Sequence, residues 1–236
     1  MLKSSEIRKS ILGIVITDGY IDIDGRFQFS SKYPEYRDHV VGLFNQFPNN
    51  ENKIWTNDYY DKRYNVYTYK MVANYPAYFS KMRNRIYTGS IKQLSKKTIQ
   101  NIDERVLAYM WMSDGYLQHQ KNRQKDKIQN NGAFCLESFT EIELQNFIDY
   151  SKERFDVEWY LKRVPWGNGY RPVTSGLNLQ KLINIIYPYV IPVFAYKTKL
   201  FYKTLDYCNM NLTNAEHIFV QYQTIQEYED IVRTSK

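Results

Sequence analysis

The chain has 236 residues, of which 43 % are hydrophobic. It is therefore long enough and apolar enough to fold as one large domain or two ordinary ones, which excludes a disordered chain. No apolar run reaches the roughly 18 residues of a membrane span. The 32 Lys and Arg residues exceed the 25 Asp and Glu residues, so the net charge is +7 and favours a polyanionic partner such as nucleic acid.

The first residues, MLKSSEIRKS, lack the apolar stretch of a secretory signal. We therefore expect a soluble intracellular protein, with no membrane partner, in a phage or bacterial cytoplasm or an organelle matrix. The excess of basic residues does not by itself establish nucleic-acid binding, because many basic proteins bind none.

One motif occurs twice along the chain. The first copy, which starts at Ser10, is SILGIVITDGYI, and the second, which starts at Val106, is VLAYMWMSDGYL. Both are apolar helical stretches that end in Ser or Thr followed by Asp-Gly-Tyr. A repeat at about half the chain length predicts two halves with the same fold.

The first half continues with alternating strands and helices. Asp24-Gly25 predicts a hairpin turn between two short strands. The later predicted elements are a helix over 36–47, a hairpin over 54–71 that turns near Asp61-Lys62, helical segments over 73–87 and a basic loop, LSKKTI.

The second half repeats this order. Its predicted elements are a strand after Gly115, a polar loop HQKNRQKDKIQNNG, a strand AFCLESF, a helix over 140–155, a hairpin over 157–173 that turns at Trp166–Gly169, and a helix over 177–189. Each half is thus αββαββα, an α+β unit with an antiparallel sheet. We place the two halves at 1–100 and 101–205, followed by a helical appendage at 206–236 with no assignable role.

Asp18 and Asp114 end the two helical motifs. A carboxylate in the last turn of a helix faces the negative end of the helix dipole, so finding two suggests a reason. The simpler interpretation is that each Asp-Gly is a turn, because a left-handed glycine commonly stops a helix. If the halves instead pack about a pseudo-twofold axis, the small residues Gly13 and Thr17 allow close helix approach, and the aspartates meet.

Two adjacent carboxylates repel each other unless a proton or a cation lies between them. Hard oxygen ligands prefer Mg²⁺, for which Mn²⁺ could substitute. Asp18 and Asp114 are therefore predicted to be metal ligands as well as catalytic residues, in an arrangement suited to two-metal hydrolysis of a phosphodiester.

The segments ILGIVITDG and LAYMWMSDG resemble the LAGLIDADG motif, and the αββαββα halves resemble the fold of single-chain LAGLIDADG homing endonucleases. The resemblance covers roughly residues 8–205. In the second half, ESFTEIEL and YPYVIPVFAYKTKL look most like the subgroup that contains the yeast mitochondrial omega-intron endonuclease. The resemblance implies a monomeric, metal-dependent endonuclease that cuts both DNA strands at a long asymmetric target site. Only the final aspartate of each motif carries over, since Ile16 and Met112 occupy the earlier acidic position.

The family also has a basic residue near each scissile phosphate. Lys97 in SKKTI and Lys197 in AYKTK follow their aspartates at similar distances, which suggests matching catalytic roles. Each could stabilise charge on phosphate or polarise water, although a lysine is as often plain surface charge. Gln28 and Glu137 are weaker candidates for positioning water.

The predicted hairpins concentrate polar and basic residues. Two-stranded ribbons fit the major groove of DNA, where such side chains read base edges, so the sheets are predicted to form a saddle for double-stranded DNA. The alternative is a solvated sheet face. The predicted DNA-binding residues are Arg26, Gln28, Lys32, Lys62, Arg63, Lys70, Lys121, Arg123, Lys162 and Arg171.

Two other functions fit the same fold. An intron maturase would bind intron RNA and assist splicing. A non-catalytic DNA-binding regulator would be expected to lose at least one aspartate, and neither motif has lost it.

Overall fold

The computed structural model of the chain describes residues 3–47, 53–165, 167, 169–203 and 219–234. The elements of the first half are α1 (Ser4–Ile16), β1 (Tyr20–Ile21), β2 (Arg26–Ser31), α2 (Pro34–Phe44), β3 (Ile54–Asp61), β4 (Val66–Asn74), α3 (Pro76–Ile86), β5 (Tyr87–Thr88), β6 (Ile91–Lys92) and α4 (Lys96–Ile99). The predicted hairpin at Asp24-Gly25 is confirmed: Gly25 has a left-handed backbone, and its N–H donates to the Asp22 carbonyl.

The elements of the second half are α5 (Glu104–Asp114), β7 (Gly115–Asn122), β8 (Lys127–Phe134), α6 (Glu141–Phe155), β9 (Tyr160–Arg163), β10 (Tyr170–Ser175), α7 (Gly176–Ile186), 3₁₀ turns at Tyr187–Tyr189 and Pro192–Lys197, and β11 (Leu200–Lys203). Helix α6 agrees with the helix predicted over 140–155, and Thr140 caps it through a reciprocal capping box with Glu143. Trp166 and Asn168 of the predicted 166–169 turn lie outside the described residues.

Each half contains a four-stranded antiparallel sheet, in the order β1-β2-β4-β3 or β7-β8-β10-β9. In both sheets the hairpin that follows the aspartate pairs with the second strand of the later hairpin. The α+β class, with the same strand order in both halves, is thus confirmed. No helix in the described part of the chain is both long and apolar enough to cross a lipid bilayer.

One face of each sheet packs on the helices of its own half. In the first half, Phe27 packs on Phe44 and Phe79 while Phe29 packs on Tyr36, and in the second half Phe134 packs on Trp111. Fully burying a side chain of this size contributes about 1.5–3 kcal/mol, so these faces hold the halves together. The opposite face of each sheet, which we call the open face, is not covered by these helices.

The two halves meet where α1 packs against α5. A Cβ on Gly13 would lie 2.6 Å from the Val106 carbonyl oxygen and 2.7 Å from the Tyr109 Cβ, so only glycine fits there. Each of these helices contributes a residue to the core of the other half. Ile16 of α1 lies in the core of the second half, and Tyr109 of α5 lies in the core of the first. The close approach predicted from Gly13 is therefore present, although a tyrosine faces it rather than a second glycine.

The polar run HQKNRQKDKIQNNG is not the loop that its composition suggests. It forms most of the β7–β8 hairpin, with Gln118 opposite Asn131 and Gln120 opposite Gln129. These four side chains share the open face of the sheet, where no apolar partner is needed. A strand whose outward residues are all polar lacks the alternation by which strands are recognised.

The segment predicted as a helical appendage contains a strand as well as a helix. Strand β12 (Phe219–Tyr222) pairs in parallel with β11, and α8 (Ile225–Thr234) follows it. Phe201, Tyr222 and Tyr228 bury a small cluster around Ile128 on β8. The predicted boundary at 205/206 lies outside the described residues.

Candidate active site

Asp18 and Asp114 lie at corresponding ends of the two packed helices. Asp114 is the last residue of α5, and Asp18 lies in the turn directly after α1. Neither of the glycines that follow them, Gly19 and Gly115, has a left-handed backbone. A Cβ on Gly115 would lie 2.4 Å from the Trp111 ring, and one on Gly19 would lie 2.9 Å from the Phe27 ring. Close packing, rather than turn conformation, thus requires these glycines.

The two carboxylates interact electrostatically across the interface. Burial and, to a lesser extent, the nearby Asp18 raise the pKa of Asp114 to about 7, although Lys92 and Lys197 oppose the shift. Burial also raises the pKa of Asp18, although Lys197 and Lys92 oppose the shift. Asp18 is still exposed to solvent on one side, so protein atoms surround the pair without closing it off. Two carboxylates this close repel each other when both are ionised, and a bound cation relieves that repulsion.

Two lysines flank the pair, and each is held by the helix end beside the neighbouring aspartate. The Nζ of Lys197 donates to the carbonyl oxygens of Met112 (2.7 Å), Ser113 (3.2 Å) and Trp111 (3.4 Å) at the end of α5. The Nζ of Lys92 donates to the Thr17 carbonyl oxygen at the end of α1. These carbonyls lie in the last turn or at the end of their helices, where a cation also offsets the helix dipole.

The two lysines share one electrostatic environment. Burial lowers the pKa of each to about 8, while Asp18 and Asp114 both oppose that shift. Both ammonium groups are therefore within electrostatic reach of both carboxylates. Each lysine is held in place by backbone oxygens, so its position does not depend on a bound ligand.

Lys92 was not among the residues predicted from the sequence, whereas Lys97 was. The structure places Lys97 on α4, where it lines a cavity together with Arg8, Tyr78 and Arg85. Lys97 is thus not brought to the aspartates, and Lys92 occupies the position that matches Lys197. The repeated Lys-Thr sequence does not mark matching positions, because Lys92 comes from a two-residue strand with no counterpart in the second half.

The donor set fits a divalent cation that keeps other ligands. Two carboxylates stand together, and no group of three or more His, Cys, Asp or Glu side chains within the described residues forms a closed metal cage. Mg²⁺ is commonly held by one or two carboxylates, with water and substrate phosphate completing its coordination. The predicted Asp18 and Asp114 ligands are therefore chemically suitable for Mg²⁺ or Mn²⁺.

A cavity of about 290 Å³ lies beside Asp18 and is walled by both halves of the chain. Lys32 and Tyr36 come from the first half, and Ser113 and Lys197 from the second. The Tyr36 hydroxyl is 3.1 Å from the Ser113 Oγ, and this bond ties α2 to the end of α5. The aspartate site is thus built at the junction of the halves.

The two candidates for positioning water differ in their surroundings. Glu137 forms an ion pair with Arg171 and adds a negative field that raises the pKa of Asp114. Gln28 lies on β2 opposite Tyr20 and Val72, on the open face of the first sheet. Glu137 is therefore near Asp114 but already engaged by an arginine.

The strand registers show which predicted DNA-binding residues share the open faces. Gln28 and Lys70 lie on the open face of the first sheet, and Lys162 is directly opposite Arg171 on that of the second. Lys62 and Arg63 lie at the tip of the β3–β4 hairpin, while Lys32 follows β2. Of these residues, Lys32 is the one that lines the cavity beside Asp18.

Lys121 lies on the opposite side of its sheet. It alternates with Gln120 and pairs with Glu229 on α8, as does the more distant Arg123 at 3.9 Å. Arg26 shares the open-face register but is paired with Asp22 and Asp24 at its own turn. Lys121 is therefore unsuited to the predicted contact with DNA, because the period-two alternation of a strand turns it away.

Aromatic residues that the sequence did not single out also occupy the open faces. Trp55 on β3, 52 % exposed, lies opposite Val72, and Tyr160 on β9, 53 % exposed, lies opposite Val173. Both strands are at the edge of their sheets. The edge strand of each half thus presents a large exposed ring on its open face, and in β3 Tyr59 and Tyr60 are exposed as well.

The molecule consists of two repeated halves, each with an open antiparallel sheet. The halves are joined through two helices that end in paired carboxylates. This is the architecture of LAGLIDADG proteins. The family model described as LAGLIDADG DNA endonuclease family matches residues 8–180, which include both aspartates and Lys92. The chain belongs to this family.

Solved structures share the fold. The homing endonuclease I-WcaI, bound to its DNA recognition sequence, is similar to this chain with a TM-score of 0.69 and 20 % identity, covering 84 % of this chain and 87 % of that one. Full-length DUF199/WhiA from Thermatoga maritima has a TM-score of 0.51 and 12 % identity, covering 100 % and 69 %. None of the curated protein sequences matches the chain.

Proposed function

We propose that the chain is a site-specific endonuclease that cuts both strands of DNA at a long asymmetric target, in the manner of a homing endonuclease. The observation that carries this proposal is the pair Asp18 and Asp114 at the α1–α5 junction, flanked by Lys92 and Lys197. Membership of the LAGLIDADG DNA endonuclease family supports it.

Asp18 and Asp114 would hold the divalent cation, Mg²⁺ or Mn²⁺, with their carboxylate oxygens. When bound, the cation would supply Lewis-acid chemistry that polarises phosphate and water. The two aspartates come from different halves, so each faces one strand of a duplex that lies across the junction. Their close approach makes cutting of both strands depend on both halves.

Lys92 and Lys197 stabilise the negative charge that develops on phosphate during cleavage. Backbone carbonyls hold both ammonium groups in place before substrate arrives, so little reorganisation accompanies the reaction. With a pKa of about 8, each lysine is largely charged near neutral pH and can also donate a proton to a leaving oxygen.

The open faces bind the duplex. Lys70, Lys162 and Lys62 form no ion pair with the described residues, so their charges are available to phosphate or base edges. Two fused halves supply both sides of such a surface, and we propose that the monomer is active. A single chain with two different sheets suits an asymmetric target.

Within the family we place the chain nearest the yeast mitochondrial omega-intron endonuclease subgroup, on the strength of ESFTEIEL and YPYVIPVFAYKTKL. The protein would act where its DNA target is found, in a phage or bacterial cytoplasm or an organelle matrix.

Selection of cleaved sites from a randomised duplex library tests this function. Incubation with Mg²⁺ should enrich one long sequence without twofold symmetry, and chelation of the metal should abolish cleavage. The matched control is the double variant Asp18→Asn, Asp114→Asn, which should bind the selected duplex without cutting it. A parent protein that binds one duplex but never cuts it would support a non-catalytic DNA-binding protein instead. Selective binding of intron RNA without DNA cleavage would support the maturase.

A further inference from the structure

A second cavity lies between α1, α3 and α4, and the proposed endonuclease function does not use it. Its volume is about 310 Å³, which is within the range of small-molecule sites. The cations around it are Arg8, Lys9, Lys81, Arg85 and Lys97, and we call this space the basic cavity. No carboxylate is among the described residues that line it.

Most of these cations have no partner of opposite charge. Lys9 pairs with Asp103 at 3.2 Å, whereas Arg8, Lys81, Arg85 and Lys97 form no ion pair with the described residues. Like charges gathered around a concave surface repel each other and focus a positive potential on it. An anion bound there would relieve that repulsion.

The walls of the basic cavity are apolar and aromatic. Leu12, Met82 and Ile86 contribute aliphatic surface, and the guanidinium of Arg8 stacks over the Tyr78 ring with 5.4 Å between its carbon and the ring centroid. A plain solvated patch of lysines needs neither an aliphatic floor nor a ring. A ligand that combines a flat, partly apolar ring system with phosphate would match both features.

The cavity is far from the duplex-binding side. Arg8 precedes Asp18 by about three helical turns, so the two lie roughly 15 Å apart along α1. Asp18 follows the carboxyl end of that helix, whereas Arg8 and Lys9 lie near its amino end. A duplex on the open faces would therefore leave the basic cavity free.

We propose that the basic cavity binds one unstacked nucleotide of a single-stranded nucleic acid, with the base on the Arg8 guanidinium that covers the Tyr78 ring and its phosphates on Arg85 and Lys97. Bases within a duplex are stacked on their neighbours and cannot enter a cavity of this size, whereas single strands offer bases that can. Ser5 and Asn101 also line the cavity and carry a hydroxyl and an amide group for a ribose or a base edge.

Fluorescence titration with two labelled oligonucleotides of about 12 residues, oligo(U) and oligo(dT), and with a duplex tests this proposal. The double variant Arg8→Ser, Arg85→Ser should weaken oligonucleotide binding by at least about tenfold and change duplex binding less than about twofold. The matched control, Lys70→Ser with Lys162→Ser, removes two charges from the open faces. It should weaken binding of the duplex rather than binding of the oligonucleotides.

The aromatic wall gives an independent measurement. Tyr78→Leu should weaken oligonucleotide binding several-fold, and Tyr78→Phe should preserve it, because a phenyl ring still supports the Arg8 guanidinium on which the base stacks. Tighter binding of oligo(U) than of oligo(dT) would add recognition of the ribose hydroxyl, and equal binding would leave base and phosphate as the ligand. Two results would overturn the proposal, whether or not the protein cuts DNA. In one, the cavity variants bind single strands as tightly as the parent does. In the other, they lose affinity for duplex and single strands equally.

Discussion

The two halves place the same groups in the same positions with different local structure. In the first half α1 ends at Ile16, and Lys92 reaches its carboxyl end from a two-residue strand. In the second half the helix runs on to Asp114, and Lys197 reaches it from a 3₁₀ turn. What the halves share is an aspartate beside helix carbonyls that bind a lysine. The backbone element that carries the lysine differs between the two halves.

The sheets differ in how their inner faces are covered. The β7–β8 hairpin is backed by Phe201 and Tyr228, whose rings contact the half-buried His119. The β3–β4 hairpin has no such cover among the described residues, and Tyr60 and Tyr67 remain 44 % and 59 % exposed. The two halves therefore share their strand order, but in the described part of the chain only the β7–β8 hairpin is covered by residues that follow β11.

The largest effect on cleavage is expected from substitution of the paired carboxylates. Comparing the two variants tests whether the two halves contribute equally to cleavage. Asp18→Asn and Asp114→Asn should each reduce double-strand cleavage by at least about 100-fold, since each removes a charged oxygen ligand while keeping side-chain volume. Single-turnover cleavage and gel-shift affinity, measured on the same duplex, separate chemistry from binding. Unequal losses would show that the more exposed Asp18 and the less exposed Asp114 have different roles. A variant that cuts both strands at the parental rate would contradict the paired site.

The next effect compares the two lysines. Lys92→Met and Lys197→Met should each slow cleavage by about 10- to 100-fold with a smaller change in binding, because charge on phosphate increases in the transition state. Lys97→Met is the matched control: it removes the same charge from α4 and should leave cleavage unchanged. If Lys97→Met slowed cleavage and Lys92→Met did not, the roles of these two lysines would have to be exchanged.

A smaller effect concerns the asymmetry between Gly13 and Tyr109. Gly13→Ala should lower the free energy of unfolding by about 1–3 kcal/mol, because the added carbon meets the backbone of α5. A Cβ on Gly42 of α2 would meet no atom within 4 Å, so Gly42→Ala should raise stability by about 0.5–1 kcal/mol. Urea unfolding of both variants compares them directly. Equal effects would mean that the helices are not in close contact at Gly13.

The mildest prediction concerns pH in metal-free buffer. The pKa of Asp114 is about 7 in the folded protein and near 3.8 in an unfolded chain, so folding disfavours its ionised form. The parent should lose stability from this group as pH rises from about 4 to about 7, and Asp114→Asn should not. The stability gained by the variant should therefore be larger at pH 7.5 than at pH 5. Thermal unfolding at both pH values measures it, and a gain independent of pH would contradict the shifted pKa.

Much of the fold could be predicted from local signals. Asp24-Gly25 marks a hairpin, Thr140 caps a helix, and the repeated Asp-Gly locates the two aspartates. Local sequence could not distinguish Lys92 from Lys97, because the position of Lys92 depends on where a short hairpin meets α1. Nor could composition reveal the β7–β8 hairpin, since its polar residues are those of an open face.

The pairing of β11 with β12 has a consequence for the order in which the protein is made. A nascent chain that has reached Lys203 already contains both aspartates and both lysines of the proposed site. It lacks Tyr222 and Tyr228, so Ile128 and Phe201 remain uncovered and the edge of β11 is unpaired. An exposed strand edge beside apolar residues readily pairs with another chain. We therefore expect nascent or truncated chains ending between 203 and 219 to need chaperones more than chains that include residues 219–234.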